Sequence, residues 1–173
     1  AVSRLISETF SPRLGAPRLG RLRGPYEARV DPVMRDAIDR ALAACAAQGA
    51  EVIDVNMPFD FEGVLRNHRI IMAAEAAAGH WDWFSEHADD YQPKIRALVE
   101  EGRKVAATDY LRARRHQDDL RLSLSASDGT LDALVMPATI GPAPDPSTTG
   151  DPSMNAPWSY AGSPTVSFPV AIS

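Results

Sequence analysis

Residues 18 to 56 constrain this chain more than any other stretch. The segment "RLGRLRGP" has short-strand character around Arg18 to Arg23, after a Pro-, Gly- and Arg-rich run that makes residues 1–16 a linker. Asp31 is a good helix N-cap, and Pro32 suits the first helical position. Apolar residues then recur at helical spacing from Val33 to Cys45, until Gly49 ends the run. Glu51 to Val55 is a β-branched strand closed by Pro58. Strand, helix and strand in so short a span should pair as parallel neighbours through a right-handed crossover. Such a pair calls for helices on the sheet faces, hence a layered α/β domain.

The middle of the chain is helical. One helix begins after an Asp60 cap and runs through "FEGVLRNHRIIMAAEAAAGHWDWFSEH"; Pro93 opens a shorter one that ends near Gly102; Thr108 caps a third that reaches about Ser127. Two nearly continuous apolar runs follow, "LDALVMPAT" and "PTVSFPVAI", as expected of strands buried on both faces. The Pro-rich connection between them is long for a compact domain. The second run, Thr165 to Ile172, would be an apolar strand with no edge protection, so self-association into a homo-oligomer or pairing with another part of the same polypeptide is expected.

Composition removes several classes of function. A net charge of −5 over 173 residues, with 16 arginines scattered among acids, argues against a nucleic-acid partner. No window reaches the ~18–20 uninterrupted apolar residues of a membrane span. The opening "AVSRLISETF" lacks the basic and apolar regions of a signal peptide. The single cysteine, Cys45, reads as a small buried hydrophobe in a reducing, cytoplasmic setting. His68, His80, His87 and His116 show no metal-ligand spacing, so surface or packed histidines are expected and no metal site. "AGSPT" places a serine on a turn but lacks the second glycine and following helix of a nucleophile elbow. Trp81 and Trp83, flanking Asp82, are expected in core or interface packing, with pocket lining as the other reading.

The stretch "LDALVMPATIGPAPDPSTTGDPSMNAPWSYAGSPTVSFPVA" resembles the C-terminal half of the amidase signature family. There a D-A-L-x-x-P strand, a Thr-Gly-bearing loop, an N-x-P-W-S-x-x-G-x-P turn and a final P-x-x-x-x-P strand follow in that order. "RLGRLRGPYEARVDPVMRDAIDRALAACAAQGAEVIDVNMP" is similar to the family's strand-helix-strand segment, and "IMAAEAAAGH" and "ATDYLRARRHQ" to its middle helices. The resemblance implies a layered α/β/α sandwich with a mixed sheet, and hydrolysis of a carboxamide C–N bond without metal or organic cofactor. It also implies a Ser nucleophile, a second Ser in a cis peptide, a Lys base and backbone N–H donors for the oxyanion.

Those catalytic parts do not match anything here. The only lysines, Lys94 and Lys104, lie in charge-rich helical contexts, and there is no Gly-Gly-Ser-Ser run. Residues 17–173 therefore read as the C-terminal part of a single amidase domain, an incomplete fragment that is inactive alone and whose partner is an N-terminal catalytic segment of the same polypeptide. Relatives that act on acidic amino-acid amides supply an Arg just after the "AEA" helix. No Arg occurs between Arg69 and Arg96, which favours an amide without a second carboxylate and speaks against a tRNA-linked role. The remaining reading is a non-catalytic α/β module, or a degenerate amidase remnant, that binds a small ligand beyond the carboxyl ends of its strands. The substrate contacts are expected in the loop from Thr139 to Pro157 and just after it, the other reading of that loop being a solvated Pro-rich connector. Thr149, Asp151 and Asn155 supply hydrogen-bonding groups there, and Trp158 an apolar wall.

Overall fold

In this computed structural model, the described residues are 15–56, 59–125 and 130–170. Most of the expected 1–16 linker, Pro58 and the last residues of the expected terminal strand lie outside them. Strand β1 (Arg18–Leu22) lies between β2 (Glu51–Val55) and β3 (Ala133–Val135), parallel to both. Arg18 pairs with Glu51 and Leu19 with Ala133, which sets the register on each side. The parallel β-α-β unit is present as the sequence requires, with helix α1 (Pro25–Ala28) and crossover helix α2 (Pro32–Ala47) between its strands.

Ala37, Ile38 and Leu42 are the residues α2 buries. Cys45 is exposed, contrary to its expected burial, and Val33 keeps 62% of its surface. The apolar stripe is wider than the surface that α2 covers, so its flanks face outward.

Helix α3 (Phe61–Gly79) is followed by α4 (Trp81–His87), a 3₁₀ turn (Ala88–Asp90), α5 (Pro93–Gly102) and α6 (Ala107–Ser125). α5 lies against α3 at Gly102, where an added Cβ would run into the Ala73 carbonyl and reach Ala77 Cβ at 2.8 Å. Beside this close approach, Arg69 forks onto Glu101, with Nε to Oε1 at 3.0 Å and Nη2 to Oε2 at 2.6 Å. The guanidinium holds the Glu101 carboxyl below its usual range. Trp81 and Trp83 are 65% and 67% exposed, so neither packs into the core; Phe84, on the same short helix, is the buried aromatic.

Helix α7 (Ala156–Ala161) stands where the sequence suggested a turn. Its Tyr160 is 1% exposed within a cluster that includes Val64, Ile71, Ala113 and Leu120. The Tyr160 hydroxyl donates to Ala113 O at 2.9 Å, so its contact with His116 Nδ1, also 2.9 Å, must be accepted from a protonated ring nitrogen. Burial pushes the phenol pKa up to about 12. Gln117 Nε2 donates to Tyr160 O at 2.6 Å and Arg121 Nε to Ala161 O at 3.0 Å, which satisfies carbonyls at the end of the short helix. Gly162, at φ 71°, then turns the chain away.

Beyond α7 the expected strand is not formed over its described part. Residues 165–170 are exposed and pair with no strand among the described residues, leaving Val166 at 87% and Phe168 at 71% exposure. A strand exists only beside a neighbour, and none is within the described part of this sheet.

Gly102→Ala is expected to lower stability by about 1–3 kcal/mol, because the helix pair must separate to admit the methyl group. Gly79→Ala, where a Cβ meets nothing within 4 Å, should be neutral or mildly stabilising. Thermal melts of the two variants provide the comparison.

Candidate functional site

The carboxyl ends of the three strands converge on an aromatic cluster. Leu22 ends β1; after it Tyr26 and Val30 fold back and meet Phe61, Met154 and Trp158. Tyr26 lies edge-on to Phe61 at 5.5 Å and stacks on Trp158 at 6.4 Å; Phe59 meets Trp158 at 6.3 Å. Burial pushes the Tyr26 phenol pKa well up, with Trp158 beside it acting weakly the other way. The Tyr26 hydroxyl makes a long contact to Met154 O, at 3.5 Å. The Trp158 Nε1 and Ser153 Oγ atoms are both buried without a hydrogen-bond partner among the described residues.

The connection from β3 to α7 is anchored over this cluster. The Asp31 amide donates to Ile140 O at 2.8 Å. The Asp31 side chain does not cap α2; its carboxylate sits where a Cβ on residue 141 would be, so Gly141 makes the approach possible. Asn155 Nδ2 donates to Ala138 O at 2.9 Å and ties the end of the loop to its start. Within the loop Thr139 Oγ1 donates to Gly141 O at 2.6 Å. The Ser147 amide donates to Asp145 Oδ1 at 2.9 Å, and Gly150, at φ 80°, donates to Thr148 Oγ1 at 3.2 Å.

The four residues singled out from sequence divide in two. Thr149, Asp151 and Asn155 are exposed, whereas Trp158 is 6% exposed and part of the aromatic cluster. Trp158 is thus a floor beneath the loop, and the other three lie on its outer side. Asp151 Oδ1 accepts the Ser153 amide at 2.7 Å, which holds its carboxyl below the usual range. The Ser153 hydroxyl adds to this from outside hydrogen-bond geometry, and the Arg29 charge contributes least. Arg29 itself pairs with Glu62 and lies over the Phe61 ring at 5.0 Å. Asn155 Oδ1 remains as an acceptor once Nδ2 is committed to Ala138. Sequence reasoning missed Arg29 and Asp31, whose influence on the loop spans more than a hundred positions, and Ser153, which no local signal marks as the donor to Asp151.

Lys94 and Lys104 are exposed, in the first turn of α5 and just after it. Among the described residues no group of three or more His, Cys, Asp or Glu side chains could hold a metal ion, and no helix is long and apolar enough to cross a membrane.

A parallel α/β layer with an anchored polar loop at the carboxyl ends of its strands belongs to the open-sheet class that places ligands there. Within that class the chain is a member of the amidase family, whose model, described as Amidase, matches residues 2–172. An amidase of Pseudomonas putida is 32% identical over 115 residues, covering 66% of this chain and 24% of that protein. The chain thus spans about a quarter of that curated relative. A crystal structure of an amidase superposes with a TM-score of 0.79 at 27% identity, covering 87% of this chain and 37% of the other. A second solved structure, of a vestigial protein complex that reveals the evolutionary origins of an s-triazine catabolic enzyme, gives a TM-score of 0.73 at 28% identity and covers 86% of this chain and 35% of the other.

The depressed Asp151 pKa fixes the sign of a pH effect. The anchoring of the loop is fully present above the ordinary Asp value of about 4 and is lost as pH falls through the lower folded value. Amide exchange at Ser153 should accelerate on acidification relative to the rest of the chain, and Asp151→Asn should remove that pH step. A flat profile in the parent chain would show that the carboxylate does not hold the turn.

Proposed function

We propose that the chain is the C-terminal part of an amidase that hydrolyses a carboxamide C–N bond to a carboxylate and an amine or ammonia. In this reading it positions the substrate, while a Ser-cisSer-Lys segment elsewhere in the same polypeptide carries the chemistry. The observation that carries the proposal is the pairing of a family match over residues 2–172 with the placement of both lysines on the exposed surface of the helical layer. An acyl-transfer nucleophile needs a base within hydrogen-bond reach, and no lysine of this chain is at the strand ends.

The exposed parts of the sheet support a covering segment. Parallel sheets are buried on both faces, yet β2 and β3 consist of exposed and half-buried residues, and Leu134 is 37% exposed. The apolar arm at Val166 and Phe168 would gain a strand neighbour from the same segment. On the loop, ionised Asp151 and Asn155 Oδ1 accept amide N–H donors, Thr149 offers a hydroxyl, and Trp158 supports them from below. Arg29 is paired with Glu62, so its guanidinium is not set out free for a second substrate carboxylate. The reading includes a cytoplasmic setting and no metal or organic cofactor.

A second reading, a small-ligand module without catalysis, is favoured by one observation: the loop is already organised by this chain's own Asp31, Asp151 and Asn155.

Purified chain incubated with aliphatic and aryl amides should release no ammonia or amine above background; turnover that survives repurification would overturn the division of labour. In the full-length parent, Asp151→Asn should raise KM roughly tenfold with kcat little changed, as expected on losing a charge-assisted contact. Trp158→Ala should instead cost about 3–5 kcal/mol of stability, because it empties the floor of the cluster. Unchanged kinetics for Asp151→Asn would make the loop a connector.

A further inference from the structure

The helical layer carries a cavity unrelated to the strand-end loop. It has a volume of about 360 Å³ and is lined by Trp83, His87, Asp90, Tyr91, Gln92 and Ile95. That volume suits a small organic molecule. Two aromatic side chains and one carboxylate meet there. The Trp83 indole has the His87 ring at 5.0 Å and is otherwise largely exposed. Tyr91 is fixed by its hydroxyl on His80 Nδ1 at 2.9 Å and by Phe84 at 5.4 Å, so its ring is a rigid wall. Asp90 is held at the rim by His87 Nδ1, 3.2 Å away.

The segment that forms most of the lining is acidic, and exposed Lys94 follows it in the first turn of α5. Residues 81–92 contain Asp82, Glu86, Asp89 and Asp90 and no Lys or Arg. The nearby guanidiniums are engaged elsewhere: Arg96 on Asp89 at 2.6 Å and Glu100 at 3.0 Å, Arg103 over Trp81 at 5.7 Å and Phe84 at 5.5 Å. Trp81 on the same helix therefore has an internal cation on its ring, whereas Trp83 has none among the described residues. An electron-rich ring pair beside an anionic rim attracts an organic cation, whose alkyl groups take up the apolar lining while its charge meets the ring face and the carboxylate.

We propose that this cavity is a binding site for a small organic ammonium ion. It takes no part in the amide chemistry, and its test is independent of that reading. Choline and its uncharged carbon isostere, 3,3-dimethylbutan-1-ol, titrated into the 173-residue chain by calorimetry and ligand-detected NMR, separate charge from apolar contact. Choline should bind saturably, and the neutral isostere roughly tenfold more weakly or not at all. Trp83→Leu and Asp90→Asn, both at exposed positions, should each weaken choline several-fold and leave the thermal melt unchanged. Equal binding of the two compounds, no effect of either substitution, or no choline binding at tens of millimolar would overturn the proposal. So would a drop in light scattering of the Trp83→Leu chain, which would make this face an interface between copies.

Discussion

The two-sided pairing of β1 is the constraint on which the rest of the structure depends. Arg18 to Leu22 hydrogen-bonds to β2 on one edge and β3 on the other, so all three strands run the same way and their following loops leave at one end. Gly20 makes the pairing possible at side-chain level. A Cβ there would meet Leu131 Cδ1 at 2.7 Å, Leu134 Cδ2 at 2.9 Å and Val55 Cγ2 at 3.0 Å, because the side chains of both neighbours close over the central strand. Arg18 reinforces the amino end, bonding Glu51 across one seam and Thr130 O across the other. At the carboxyl end Arg23 N continues the ladder to Val55 O at 2.9 Å before Gly24 turns the chain into α1.

Helix α7 joins this sheet to the helical layer, and its length explains how. Residues two apart on a helix point roughly 200° from one another. Trp158 and Tyr160 therefore face opposite ways, one into the aromatic cluster at the strand ends and the other into the cluster of α3 and α6. A six-residue helix has little stability of its own. It is held by its two anchors and by the Gln117 and Arg121 side chains on its last carbonyls.

That dependence explains what could be read from the sequence. The β-α-β unit and the helices opened by Pro32 and Pro93 were legible nearly to the residue, since caps, prolines and periodicity are local signals. α7 was not, because its reasons for being helical lie forty residues upstream. The run from Thr165 has every local mark of a strand, but pairing requires a neighbour that local signals do not supply. Cys45, Trp81 and Trp83 teach the same lesson about burial: helical spacing tells which residues share a face and not whether anything covers it. In the candidate site the loop's position followed from the strand before it. The inward place of Trp158 and the Asp31–Gly141 contact are long-range and left no trace in the pattern.

The strand-end loop takes its shape from the most local part of the molecule. Its anchor is Asp31, at the turn between α1 and α2 inside the β-α-β unit, and its closing bond, from Asn155 to Ala138, spans its own ends. A unit whose strands are joined by one short crossover forms with little loop-closure cost. The groups that order the loop thus belong to the chain's own β-α-β unit and to the loop itself. The consequence in the amidase reading is a division between positioning and chemistry. A covering segment that brings the nucleophile and base would meet hydrogen-bonding groups already fixed in place, so its binding need not also order the substrate contacts. Preorganisation of this kind lowers the entropy cost of assembly without supplying a base. In that reading such a chain would hold a carboxamide and still leave it intact.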